Sequence, residues 1–112
     1  MEITTRKVYD VTVVDLRGRL DSRAVGEAGD QIVIIAKGNN QRVLLNLDKL
    51  EYVSSSGLRA ILLGAKLLQD KLGELKICQA RDPVKTVLQT AGFDSLIKTY
   101  ETEREAISAF LG

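Results

Sequence analysis

Histidine is missing from all 112 residues. Its absence removes at one stroke Ser-His-Asp and Cys-His catalysis, His-containing zinc sites and imidazole acid–base chemistry. The single cysteine, Cys78, can neither staple the fold nor pair with a second thiol around a metal. Set in the apolar run Leu75-Lys76-Ile77-Cys78, it reads as a small buried hydrophobe, and one unpaired thiol is compatible with a reducing cytosol. Tryptophan is absent, and two Phe and three Tyr leave a core that must be mostly aliphatic. No apolar stretch approaches the roughly 18 residues of a spanning helix, and the N-terminus lacks the basic-then-apolar pattern of an export signal. The chain is therefore expected to be soluble and cytoplasmic, without membrane insertion. An excess of either charge is lacking too. The net charge is +1 with Lys and Arg spread along the chain, which argues against a nucleic-acid or membrane partner held by charge alone.

What is present alternates between strand and helix patterns with no linker, repeat or low-complexity tract, so an α/β fold is expected. Residues 2–7 and 11–17 read as an antiparallel hairpin around Val8-Tyr9-Asp10. Asp21 or Ser22 caps a helix running to about Lys37, stopped by Gly38, with Val25, Ala28, Ile32 and Ile35 as its buried stripe. Gly26 and Gly29 inside it suggest close packing against the sheet. Residues 43–47 form a nearly continuous apolar run, the pattern of a strand covered on both faces.

A second helix begins within Ser54 to Gly57 and ends near Leu72, with Gly73 as its C-terminal glycine. Leu58, Ile61, Leu62, Ala65 and Leu68 make its apolar face, and Leu63 and Leu67 lie partly off it. Residues 75–78 are a fourth strand. Asp82 caps a third helix with Pro83 at its first position, and Val84, Val87, Leu88 and Ala91 face inward before Gly92. Residues 96–100 read as a short edge strand. Thr102 and Glu105 then form a capping box for a last helix carrying Ala106, Ile107, Ala109, Phe110 and Leu111.

The most informative segment is Val53-Ser54-Ser55-Ser56-Gly57-Leu58. Serines at a helix start sit where free N–H groups and the helix dipole favour negative charge. A phosphate there would be locally stabilised and would add roughly two negative charges to the surface. Taken alone, three serines before a glycine are more often a capping loop, and Asp21 alone is a cap or turn residue. Arg59, read in the first helical turn, opposes the dipole. It is either a solvated side chain or the partner of an acidic group or phosphate.

Catalytic motifs do not emerge. Gly-x-Ser-x-Gly fails because Val53 stands two residues before Ser55. At the serine loop Ser-x-x-Lys fails because Arg59 follows Ser56 at the third position. No Gly-rich phosphate loop with Lys-Ser/Thr occurs, and no base can be named for a serine nucleophile. A binding module is expected, without enzyme activity, cofactor or metal.

Four segments in order resemble the STAS domain, the fold of bacterial anti-sigma factor antagonists. Gly18-Arg19-Leu20-Asp21 matches the family's Gly-x-Leu/Ile-Asp. Asn46-Leu47 followed by Ser54-Ser55-Ser56-Gly57-Leu58 is similar to its strand end and Asp-Ser-Ser/Thr-Gly-Leu. Residues 82–93 resemble its third helix, and residues 100–106 the approach to its last. The resemblance implies one STAS domain over 1–112, a mixed sheet of four to five strands packed with about four helices. It also implies partner switching. Unphosphorylated, the chain would dock on an anti-sigma factor that is also a serine kinase. Phosphorylation of Ser55, ahead of Ser56 and Ser54, would release it, and a phosphatase would reset the switch. Asp21, Ser22, Ser54, Ser56, Gly57 and Arg59 are the implied partner contacts. The family's Asp is Ser54 here, which removes a carboxylate beside Ser55. The alternative is an unphosphorylated STAS subunit in a stress-sensing scaffold or a lipid-transport ABC complex.

Overall fold

The structure, a computed structural model, describes residues 1–112 apart from Ala24 and apart from the side chains of Val25, Glu27 and Asp94. β-branched residues make the expected hairpin. β1 (Glu2–Val8) and β2 (Val11–Leu20) pair antiparallel across the two-residue turn Tyr9-Asp10, with Val8 opposite Val11. The chain continues through α1 (Val25–Lys37), β3 (Arg42–Val53), α2 (Ser55–Asp70), β4 (Glu74–Cys78), α3 (Asp82–Thr90), a short 3-10 turn (Phe93–Ser95), β5 (Thr99–Tyr100) and α4 (Glu103–Leu111). The five strands lie in chain order, β1-β2-β3-β4-β5, with every pair after the first parallel. This is the expected α/β architecture, a mixed sheet with four helices among the described residues.

Two apolar layers follow from strand alternation. On one face Val14, Leu16 and Leu20 of β2 and Val43, Leu45 and Leu47 of β3 meet Ala28 and Ile32 of α1, Ile61, Ala65 and Leu68 of α2, and Val84 and Leu88 of α3. On the other, Val11, Val13, Leu44 and Cys78 are covered by Ala106, Ile107 and Phe110 of α4. Cys78 is fully buried, and burial pushes its thiol up to about 12, so it is inert packing rather than a reactive group.

Several expectations are corrected. β2 reaches Leu20 and β3 reaches Val53, past the expected ends at Arg17 and Leu47, and two register shifts each put one extra β3 residue opposite β2. These bulges keep Leu47, Leu50 and Val53 on one face although they stand three apart. α1 is described from Val25, so how the expected cap at Asp21 or Ser22 meets its first turn lies outside the described residues. Val25 of the expected stripe falls outside the described side chains. Ala36 joins the core fully, Ile35 only in part, and exposed Gly26 has open space where close packing was expected.

On α2 the buried line is Gly57, Ile61, Gly64, Ala65 and Leu68, which turns Leu62 outward to 38% exposure. α2 ends at Asp70, and the left-handed residue is Leu72 (φ +65°), not Gly73. Gly73 is required for another reason: a Cβ there would stand 2.5 Å from the Gln41 carbonyl oxygen. Arg81 occupies the cap position of α3, which moves Asp82 and Pro83 into the first turn; Ala91 falls outside and is exposed. The edge strand shortens to Thr99–Tyr100 because Leu96 and Ile97 give their N–H groups to the Phe93 carbonyl, closing the 3-10 turn before them, and Ala109 and Leu111 of α4 face solvent. The last cap forms as expected at Thr102, whose Oγ1 accepts from Glu105 N at 3.1 Å. The Glu105 carboxylate bonds the Thr102 hydroxyl.

α4 is also tied down by charge. Arg6 of β1 forks onto Asp15 of β2 (2.8 and 3.1 Å) and onto Glu103 at the start of α4. Asn46 Nδ2 donates to Glu103 at 3.0 Å and to Gln79 at 3.2 Å. The hydrogen bond from Arg6 holds the Glu103 carboxyl below the usual carboxylate range, Asn46 adds to this, and burial opposes it. A carboxylate depressed in the folded state stabilises the fold above its unfolded pKa, about 4.3 for Glu, and that stability is lost as pH falls through the folded value. Glu103→Gln is expected to lower stability at pH 7 by about 1–2 kcal/mol, limited by the solvent around half-exposed Arg6. It should also flatten the acid limb of a stability–pH curve, measured by urea unfolding between neutral and acid pH.

Candidate partner-docking site

The serine loop is built by the ends of two neighbouring strands. β2 stops at Leu20 and β3 at Val53, and Leu20 lies opposite Val53 in the register. Ser54 N then donates to the Leu20 carbonyl at 2.9 Å, anchoring the loop to the end of β2. Gly57 closes the joint. A Cβ there would stand 2.8 Å from both Leu20 Cγ and Leu20 O and 2.9 Å from Val53 Cγ2, so only glycine lets the first turn of α2 seat against both strands.

Each hydroxyl has a different position. Ser54 is the N-cap, with extended backbone (φ −89°, ψ 172°), and its Oγ accepts from Gly57 N at 3.1 Å. Its carbonyl accepts from Leu58 N at 2.9 Å. Ser55 is the first helical residue and is exposed; Ser56 is half-buried. Leu58 packs against the core from a half-buried position, and Arg59 is exposed. Arg59 is the fifth residue of α2 rather than part of its first turn, and that turn carries no acidic side chain. The uncompensated positive end of the helix thus faces the Ser55 hydroxyl.

The Leu20–Ser54 bond brings the segment after β2 alongside this loop. Asp21 Oδ1 accepts from Arg23 N at 3.1 Å, and Arg19 approaches Asp21 at 4.0 Å while lying 4.5 Å over the Tyr52 ring. Ser22 is exposed beside them. The structure therefore brings Asp21, Ser22, Ser54, Ser55, Ser56 and Gly57 to one end of the sheet, with Arg59 exposed further along α2. Sequence reading passed over Arg19 and Tyr52. Their stack depends on β3 running on to Val53, and the only sequence signal was Gly18, which takes a left-handed φ of +108° beside the second bulge.

A separate polar cleft of about 450 Å³ opens on the α4 side, lined by Arg6, Asp15, Arg17, Asn46, Lys49 and Glu103 among others. Its buried Asn46 is fully bonded, to Gln79, to Glu103 and, through Oδ1, to Asp48 N at 3.0 Å. Among the described residues no group of acidic, Cys or His side chains could hold a metal, and no helix is long and apolar enough to cross a membrane.

This arrangement, strand end to capped helix on a singly wound mixed sheet, is that of a known class. The STAS domain family matches residues 2–106, and the chain belongs to it. BtrV of Bordetella bronchiseptica, described as an anti-sigma factor antagonist, is 31% identical over 110 residues, covering 98% of this chain and 95% of its own. The anti-sigma F factor antagonist of Paenibacillus polymyxa is 30% identical over 99 residues, with 88% and 85% covered. Among solved structures, the anti-sigma factor antagonist SpoIIAA in its unphosphorylated form superposes with a TM-score of 0.83 at 25% identity, over 99% of this chain and 97% of that one. Bacillus SpoIIAA in its phosphorylated form gives 0.74 at 23% identity, over 97% and 99%.

The packing at the joint is directly testable. Gly57→Ala is expected to lose about 1–3 kcal/mol, the usual range for overpacking against an unyielding neighbour. Ser54→Ala should lose about 0.5–2 kcal/mol as a deleted cap, whereas Ser55→Ala should stay within about 0.5 kcal/mol. Urea midpoints of the three variants check the order.

Proposed function

We propose that this chain acts as a single STAS module over residues 1–112, an anti-sigma factor antagonist working by partner switching in the cytoplasm. The observation that carries the reading is the division of labour among the serines, in a chain matched to anti-sigma factor antagonists along nearly its whole length. Ser54 is occupied with the cap and Ser56 is half covered, which leaves Ser55 as the hydroxyl open to another protein. Unmodified, the face formed by Asp21, Ser22, the serines, Gly57 and Arg59 docks on an anti-sigma factor that is also a serine kinase. The kinase passes the γ-phosphoryl group of ATP to Ser55 Oγ, releasing ADP and a proton. A desolvated interface that gains a dianion without a dedicated cation loses several kcal/mol, on the order of the penalty for burying an unpaired charged group, and the pair separates. A phosphatase hydrolyses the ester to serine and inorganic phosphate. The protein is a binding module in this scheme, and all the chemistry belongs to its partners.

Ser54 supports the scheme in place of the family's Asp because its hydroxyl already supplies the helix cap. The test is to incubate the chain with its cognate kinase and ATP and map the product by mass spectrometry, while measuring partner binding of Ser55→Ala and Ser55→Asp. One phosphate at Ser55, retained binding for Ser55→Ala and at least about tenfold weaker binding for Ser55→Asp are expected. An unmodified Ser55 together with equal binding by both variants overturns the switch and leaves an unphosphorylated interaction subunit.

A further inference from the structure

The sheet has one long uncovered edge, and it is self-complementary. β5, at one side, is two residues long, but β1 at the other runs for seven, Glu2–Val8. Because Val8 and Val11 flank a two-residue turn, they form a hydrogen-bonded pair, and the alternation of antiparallel ladders carries that status to Arg6, Thr4 and Glu2. Those residues spend their backbone groups on β2. The N–H and C=O groups of Ile3, Thr5 and Lys7 therefore point away from the sheet, as an open row for another strand.

We propose that this row pairs with the same row of a second copy of the chain, antiparallel and centred on Thr5. In that register Ile3 bonds Lys7 of the second copy, Thr5 bonds Thr5, and Lys7 bonds Ile3, so every outward backbone group finds a partner. The side-chain pattern fits as well. Arg6 comes opposite Thr4, Lys7 opposite Ile3 and Glu2 opposite Val8, and no charge faces its own sign directly. β-branched residues fill Ile3, Thr4, Thr5 and Val8, as a paired strand favours. A register centred on Thr4 leaves Lys7 reaching only the N-terminal residue. The result is a continuous ten-stranded sheet with a two-fold axis through its middle. In each copy the Ser55 loop follows β3, two strands in from the seam, so both loops stay open. The pair is a bivalent ligand for any partner that is itself a dimer, and its avidity exceeds that of one copy.

The experiment places one cysteine on the seam. Opposed residues of a bonded antiparallel pair have Cα atoms about 5.5 Å apart, within disulfide reach. Cys78 is buried and does not compete. Thr5→Cys is expected to form a disulfide-linked dimer under mild oxidation at least about tenfold faster than Thr4→Cys, whose two copies lie too far apart in this register. The unmodified chain should show concentration-dependent dimer by sedimentation equilibrium up to about 1 mM, as suits a small interface. Equal or slower crosslinking of Thr5→Cys, or a strict monomer throughout that range, overturns the proposal. Neither result depends on whether Ser55 is phosphorylated.

Discussion

The site depends on the contact between the end of β2 and the first turn of α2. The Leu20 carbonyl takes the Ser54 N–H, and the missing side chain of Gly57 lets the helix start sit directly on Leu20 and Val53. With that joint closed, Ser54 has one geometry in which its hydroxyl can reach Gly57 N, and Ser55 has no place to go but outward. The site is rigid for reasons that lie in the core. Leu20 and Val53 are both buried, so the loop rests on packed side chains as well as on its hydrogen bonds.

The two faces of the sheet are held by different means. Three helices cover one face with a continuous aliphatic layer. Among the described residues the other carries α4 alone, and beyond α4 the face turns polar. There Arg6, Asp15, Asn46, Gln79 and Glu103 replace apolar packing with a bonded network joining three strands, the residue after β4 and the head of α4. Lys76 shows the same economy under α4. Its ammonium is buried against Glu74 at 3.0 Å and lies 5.0 Å over the Phe110 ring and 5.5 Å over that of Tyr100. A charge taken out of water is tolerable there because an anion and two aromatic faces surround it.

The strand–helix order, the hairpin and the serine loop were legible because each has a local signal: β-branched alternation, a turn, a capping residue. The tail of β3 was not. Leu47, Leu50 and Val53 stand three apart, which fits neither a strand's period of two nor a full helical stripe. Only the bulges against β2 reconcile that spacing with one buried face. Leu62 was misread because the buried stripe of α2 is narrowed by Gly57 and Gly64, residues that carry no hydrophobic signal but let the helix lie close. Gly73 does close the end of α2, its N–H donating to the Leu68 carbonyl at 2.7 Å, but what demands a glycine there is the contact with Gln41 rather than a left-handed backbone. The Arg6–Glu103 pair joins residues 97 apart in the chain, and no local pattern could announce it. Among the site residues, Ser54 to Arg59 stood out as a motif, whereas Arg19 and Tyr52 depended on the unread end of β3.

Those bulges make the length of residues 48–52 a structural parameter. Removing one residue there would erase an extra count and bring the strand closer to ordinary alternation. Val53 would keep its place opposite Leu20, but the bend and extra twist that a bulge gives the strand would be lost. The serines would stay beside Leu20 but leave the sheet at another angle. Substitutions on this stretch change a surface, but a change in its length changes the direction in which the protein faces its surroundings.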